Sequence, residues 1–170
     1  MGLLAAALLL AGCSRTHPTE HGPLSLTSTA FTADAAIPIG YGCTGSDQAP
    51  PLSWHGVAPS GTRSWAVVMR DLDVRPQPWA QWVVSDIPLS ARAVTGSSLP
   101  SGALVSAASN TTVGYVGACP PTGTVHRYQF TVYAEKGSAG LRADTPAAAA
   151  LRAIQAASLG SVSLTGTFAR

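Results

Sequence analysis

The chain has 170 residues, 46% of them apolar, with 10 Lys and Arg against 8 Asp and Glu for a formal net charge of +2. That length suits one domain with its own core, and no second block of composition argues for two. The near balance of charge, with no basic cluster or basic amphipathic helix, excludes nucleic acid as an expected partner.

Residues 1–12, Met-Gly-Leu-Leu-Ala-Ala-Ala-Leu-Leu-Leu-Ala-Gly, are too few to cross a bilayer as a helix but suit a signal-peptide core, although no Lys or Arg precedes the run. The run closes on Leu10-Ala11-Gly12-Cys13, small residues before a cysteine, which looks like a bacterial lipobox with Cys13 as the lipidated first residue. A buried helix that merely contains Cys13 is the alternative, but the polar, helix-poor stretch that follows reads as a tether. The expected organisation is therefore a signal peptide over 1–12, a flexible tether over 13–23 and one domain over 24–170. Lipid on Cys13 would hold that domain on the extracytoplasmic side of the cell membrane. Cys43 and Cys119 remain in the domain; an oxidising compartment permits them to pair, and two buried thiols are an equal reading.

Residues 24–31 alternate well enough for a first strand, and 37–45 form a glycine-rich loop. Leu52-Ser53-Trp54 after two prolines is a short strand, and 64–70, rich in Trp and Val, is a stronger one. Residues 79–87 read as a strand ending at Pro88. Residues 90–114, rich in Ser, Ala, Gly and Thr, read as a long surface loop. Residues 126–134 alternate cleanly, with His126, Tyr128, Phe130 and Val132 on one face. Only 145–159 has a helical pattern: Pro146 suits the first turn, the alanines favour helix, and Leu151, Ile154 and Leu159 offer an apolar stripe before Gly160. A last strand over 161–168 completes a mainly β chain, for which antiparallel sheets are expected rather than alternating βαβ units.

Trp65, Val67, Met69, Asp71 and Asp73 share one parity, so an inward-facing row ends in two carboxylates. An isolated Asp-x-Asp is more often a turn. Trp79 and Gln81 share a face, as do His126 and Tyr128; each alone reads as an ordinary core or edge residue, and only the set is informative. Between these strands, Gly114-Tyr115-Val116-Gly117-Ala118-Cys119-Pro120-Pro121 has glycines that allow close backbone approach and prolines that stiffen its exit, so its N–H groups could face an anion. Gly40-Tyr41-Gly42-Cys43-Thr44-Gly45 fits a dinucleotide fingerprint in letters only, because Pro50 and Pro51 exclude the helix that must follow. There is no Gly-x-Ser-x-Gly elbow and no spaced Cys/His motif.

The turn Asp71-Leu72-Asp73, residues 79–88, residues 117–123 and His126-Arg127-Tyr128 together resemble the phosphatidylethanolamine-binding protein family, most closely its bacterial Raf kinase inhibitor-like branch. Gly42-Cys43-Thr44-Gly45, Pro50-Pro51-Leu52-Ser53-Trp54 and Leu164-Thr165-Gly166-Thr167-Phe168 are in register with it, so the resemblance covers about 26–170. It implies a large antiparallel sheet packed on a smaller one, a C-terminal helix, and a non-catalytic, cofactor-free protein with a shallow pocket for phosphate or phospholipid head groups. The pocket it implies comprises Asp71, Asp73, Trp79, Gln81, the backbone of Gly117, Ala118 and Cys119, His126 and Tyr128. Three positions depart from the family pattern: Leu72 replaces a proline, the next proline comes one residue late at Pro76, and Gln81 stands where a histidine is usual. With glutamine there, any pH dependence of binding falls on His126. Two other functions are weighed against this one: a metal-assisted hydrolase using Asp71, Asp73 and His126, and a protein-interaction or inhibitor module.

Overall fold

A computed structural model describes residues 22–96 and 98–170; the signal segment, Cys13 and most of the tether lie outside the described residues. Among the described residues, eight strands run in chain order as β1 (Ser25–Ser28), β2 (Leu52–His55), β3 (Ser64–Asp71), β4 (Trp79–Pro88), β5 (Ala93–Val94), β6 (Leu104–Ser106), β7 (Val125–Glu135) and β8 (Ser158–Ala169). One helix, α1 (Ala147–Ala157), precedes β8, and a 3-10 turn covers Ile39–Tyr41. All named strand pairs are antiparallel: a small sheet in the order β1-β2-β5 and a large one in the order β6-β4-β3-β7-β8.

The central strands are apolar on both sides because each face of the large sheet is covered. One face carries Trp65, Val67, Met69, Trp82, Val84, Phe130 and Val132 against Leu52 and Trp54 of the small sheet. The other carries Ala66, Val68, Ala80, Val83 and Tyr133 against Ala147, Ala150 and Ile154 of the helix. Small residues at the contact let the helix lie close to the sheet. The stripe expected from Leu151, Ile154 and Leu159 is corrected accordingly: Ala147, Ala150, Ile154 and Ala157 are buried, whereas Leu159 is exposed and belongs to β8. Pro146 is the N-cap rather than a first-turn residue, and the chain turns extended at Ser158 (φ −71°, ψ 135°) to enter β8 at once.

Two further corrections bear on the site. The segment read as one surface loop contains β5 and β6 and buries Val94, Ser106, Ala107 and Ala108, because pairing to β2 and β4 gives even a Ser/Ala-rich stretch a place in a sheet. Strand β4 also does not alternate throughout. Its register against β3 slips twice, between the pairs Trp65↔Ile87 and Val67↔Val84, and between Met69↔Trp82 and Arg70↔Ala80. The second slip leaves Gln81 as the extra residue of a bulge, which puts both Gln81 and Trp82 on the face toward the small sheet. At the sheet margin, residues 34–37 lie along β8: Asp34 and Ile37 donate N–H bonds to the carbonyls of Thr165 and Thr167, and Thr167 N–H donates to Ala35.

Candidate functional site

The last residue of β3 sets the site. Register places Asp71 between Trp79 of β4 and Tyr128 of β7, so three side chains from three strands form a row across one end of the sheet. His126, one step of the same parity along β7, stands beside them. Asp71 is 3% exposed, and its carboxylate is fully engaged: Oδ1 accepts the N–H of Asp73 at 2.9 Å and Oδ2 lies 2.8 Å from His126 Nδ1. A buried carboxylate needs such partners, and here they also fix the orientation of the imidazole. The His126 side chain retains 15% exposure, so the ring spans from the buried acid to the surface.

Tyr128 is fully buried, and its hydroxyl oxygen accepts the N–H of Cys119 at 3.1 Å. Burial, then the adjoining Asp71 carboxylate, pushes the phenol well above its ordinary range, so it remains a neutral hydroxyl. The glycine-rich segment of 114–121 is thereby pulled onto the strand row, and a disulfide between Cys43 and Cys119, Cα atoms 5.4 Å apart, ties it to the 40–45 loop.

The same segment shows where N–H groups go. Gly117 N–H donates to Asp47 Oδ1 at 2.7 Å, and Gly117 carbonyl accepts from Gln81 Nε2 at 3.0 Å. A Cβ at Gly117 would displace the Asp47 carboxylate from its place against the Gly117 N–H, so glycine there permits that bond. Two of the N–H groups expected to face an anion, those of Gly117 and Cys119, are thus spent inside the protein, and the buried Gln81 serves to position the segment. Asp47 was not legible in the sequence as part of this constellation. In the sequence it stands only as a polar residue after Gly45-Ser46; in the structure it adopts φ of 52°, a conformation that Asp tolerates better than most residues.

Asp73 does not join Asp71 around a common point. It accepts from the Arg127 backbone N–H, Nε and Nη2 at 2.7, 3.1 and 2.6 Å, closing the turn between β3 and β4 against β7. The Arg127 guanidinium and N–H hold its carboxyl down to about 2. With that carboxylate committed to Arg127, Asp71, Asp73 and His126 do not converge as metal ligands, and no group of three or more His, Cys, Asp or Glu among the described residues is placed to hold a metal. Trp79 is the open member of the set, at 38% exposure.

Residues 27–169 match the family model described as phosphatidylethanolamine-binding protein. The chain belongs to the phosphatidylethanolamine-binding protein family. Among relatives of known sequence, a protein of Methanothermobacter thermautotrophicus designated UPF0098 is 34% identical over 152 residues, covering 86% of this chain and 99% of the relative. LppC of Mycobacterium tuberculosis, a candidate lipoprotein by name, is 33% identical over 147 residues, covering 86% of this chain and 72% of its own. Among solved structures, Escherichia coli YbcL superposes with a TM-score of 0.79 at 28% identity, covering 86% of this chain and 98% of YbcL. The homologue CT736 of Chlamydia trachomatis gives 0.78 at 25% identity, with 89% and 99% covered. The two-sheet architecture expected from the sequence is therefore the family's fold, and the chain is a binding protein of that family.

Proposed function

We propose that this chain is an envelope-anchored, non-catalytic member of the family whose Asp71, His126 and Tyr128 hold the anionic end of a small phosphorylated ligand, a phospholipid head group or its free counterpart. The observation that carries the reading is the 2.8 Å contact between His126 Nδ1 and the buried Asp71 carboxylate. With Nδ1 donating inward to the carboxylate, Nε2 faces the surface as an acceptor in the neutral ring and as a donor to an anion once the imidazole is protonated. A carboxylate beside a phosphate repels it unless its charge is offset; the Asp71 oxygens are engaged by the Asp73 N–H and by His126, which offsets the charge when the imidazole is protonated. Trp79 supplies an apolar wall, while the buried Gln81 and Ala118, with Gly117 and Cys119, back the site. Asp73 holds Arg127, so its part is to fix the turn that presents Asp71. The name of LppC supports lipid on Cys13 and a place on the outer side of the cell membrane.

Calorimetric titration of the full chain with inorganic phosphate and with phosphoethanolamine tests the site. Asp71→Ala and His126→Ala are expected to abolish the binding, and Arg63→Ala, at the far end of the sheet, to leave it intact. Equal binding by all three variants, or none by the unmodified chain, overturns the assignment. For the anchor, Cys13→Ser is expected to move the protein from the membrane fraction to the soluble one; an unchanged distribution would remove the lipid from the account.

A further inference from the structure

On the helix side of the large sheet lies an open cleft of about 880 Å³ whose lining includes neither His126 nor Asp71. Its floor continues the apolar contact between α1 and the sheet through Ala80, Ala147 and Leu151, and its lip carries the exposed Trp79 and Val113. Two guanidiniums, Arg75 on the turn before β4 and Arg152 on the helix, stand at its edge. Among the described residues neither is ion-paired; the lining carboxylate, Asp144, lies 3.2 Å from Arg142 Nε. The cleft therefore presents apolar surface together with an uncompensated positive edge.

We infer that this cleft is a second binding site, for a single-tailed aliphatic anion, with the tail along the alanine face of α1 and the head group between Arg75 and Arg152. Its volume lies in the range of sites that enclose ligands of drug size. An apolar floor alone would accept any hydrophobe, but desolvating the floor next to two arginines favours an amphiphile whose charge opposes theirs. A free amphiphile rather than a bilayer suits the shape, because the apolar surface is recessed between helix and turn. None of the residues invoked for the head-group site is used except Trp79, which borders both.

Trp79 also gives the readout, since Trp54, Trp65 and Trp82 are buried. Decanoate, added to the full chain below its micelle-forming concentration, is expected to shift the tryptophan emission saturably, and Trp79→Phe to remove that shift. Arg75→Ala with Arg152→Ala weakens decanoate binding about tenfold, from two exposed charge contacts, and leaves decanol unaffected; Leu151→Asp, on a half-exposed helix position, abolishes both. His126→Ala leaves decanoate binding unchanged, so the two sites fail or stand separately. Decanol bound as tightly as decanoate would overturn the anionic assignment. Binding that survives Leu151→Asp would overturn the location. An emission that changes on dilution without any ligand would mean that a second copy of the chain occupies the cleft, and that also overturns the proposal.

Discussion

Strand β3 has a buried carboxylate at each end of its ladder, and the two are treated in opposite ways. At one end Asp71 is paired with His126 and a backbone N–H. At the other, Glu135, opposite Ser64 on β7, is fully buried with Oε1 unpartnered and Oε2 only 3.4 Å from Ser64 Oγ. Each end also adjoins a bulge in β4: Gln81 near Asp71, and Ser85-Asp86 near Glu135, with Asp86 at φ of 54°. At the first end the extra residue brings a donor to the site segment. At the second it brings another acid, and burial together with Asp86 pushes the Glu135 carboxyl up to about 7. The same local device thus builds a polar constellation at one end and a retained proton at the other.

The comparison breaks most readily at the disulfide, which secures only the Asp71 end. Replacing Cys43 and Cys119 by serine is expected to cost about 4 kcal/mol, the loop entropy restored to the unfolded chain, in urea unfolding; the unmodified protein under reductant should match the variant. A loss near zero would mean that packing alone holds the 114–121 segment.

Glu135 sharpens the other end. The folded state keeps a proton that the unfolded chain gives up near 4.5, so this residue's contribution is most favourable below that pH and is lost as pH rises through about 7. Glu135→Gln should flatten that slope and, at pH 8, exceed the unmodified protein by up to about 3 kcal/mol, as read from thermal unfolding at several pH values. No change in slope would show that the acid is ionised in the folded protein.

Asp71→Ala leaves His126 and the Asp73 N–H without their acceptor, and a cost of about 1–3 kcal/mol follows in chemical unfolding at pH 7. Asp71→Asn, which keeps an acceptor oxygen, should cost less. The smallest effect is at Asp73: its carboxyl, held down by Arg127, contributes stability above 3.8 that is lost as pH falls through about 2. Asp73→Asn should remove that part of the acid limb, as measured by acid unfolding.

The sequence makes the strands legible where alternation is regular: the row through His126, Tyr128, Phe130 and Val132 predicts β7 and the face on which Asp71 meets it. It also predicts the helix, through its alanines. What it hides has a common cause. The β5 and β6 pairings and the bond from Asp47 to Gly117 depend on partners elsewhere in the chain, 70 residues away in the last case, and the two bulges depend on the register between β3 and β4; no local pattern encodes either. The loop N–H groups at Gly117 and Cys119 look available from composition alone because the acceptors that take them, Asp47 and Tyr128, announce themselves only in three dimensions.

The overlay of residues 34–37 on β8 has a consequence for how copies of the protein meet. A five-stranded sheet offers two margins where another chain could add a strand. One margin here is β6, only three residues long, and the other is taken up over Thr165–Thr167 by the protein's own N-terminal segment. With one margin short and the other occupied over that stretch, the backbone groups on which a neighbouring copy could template a mixed sheet are reduced at those two places.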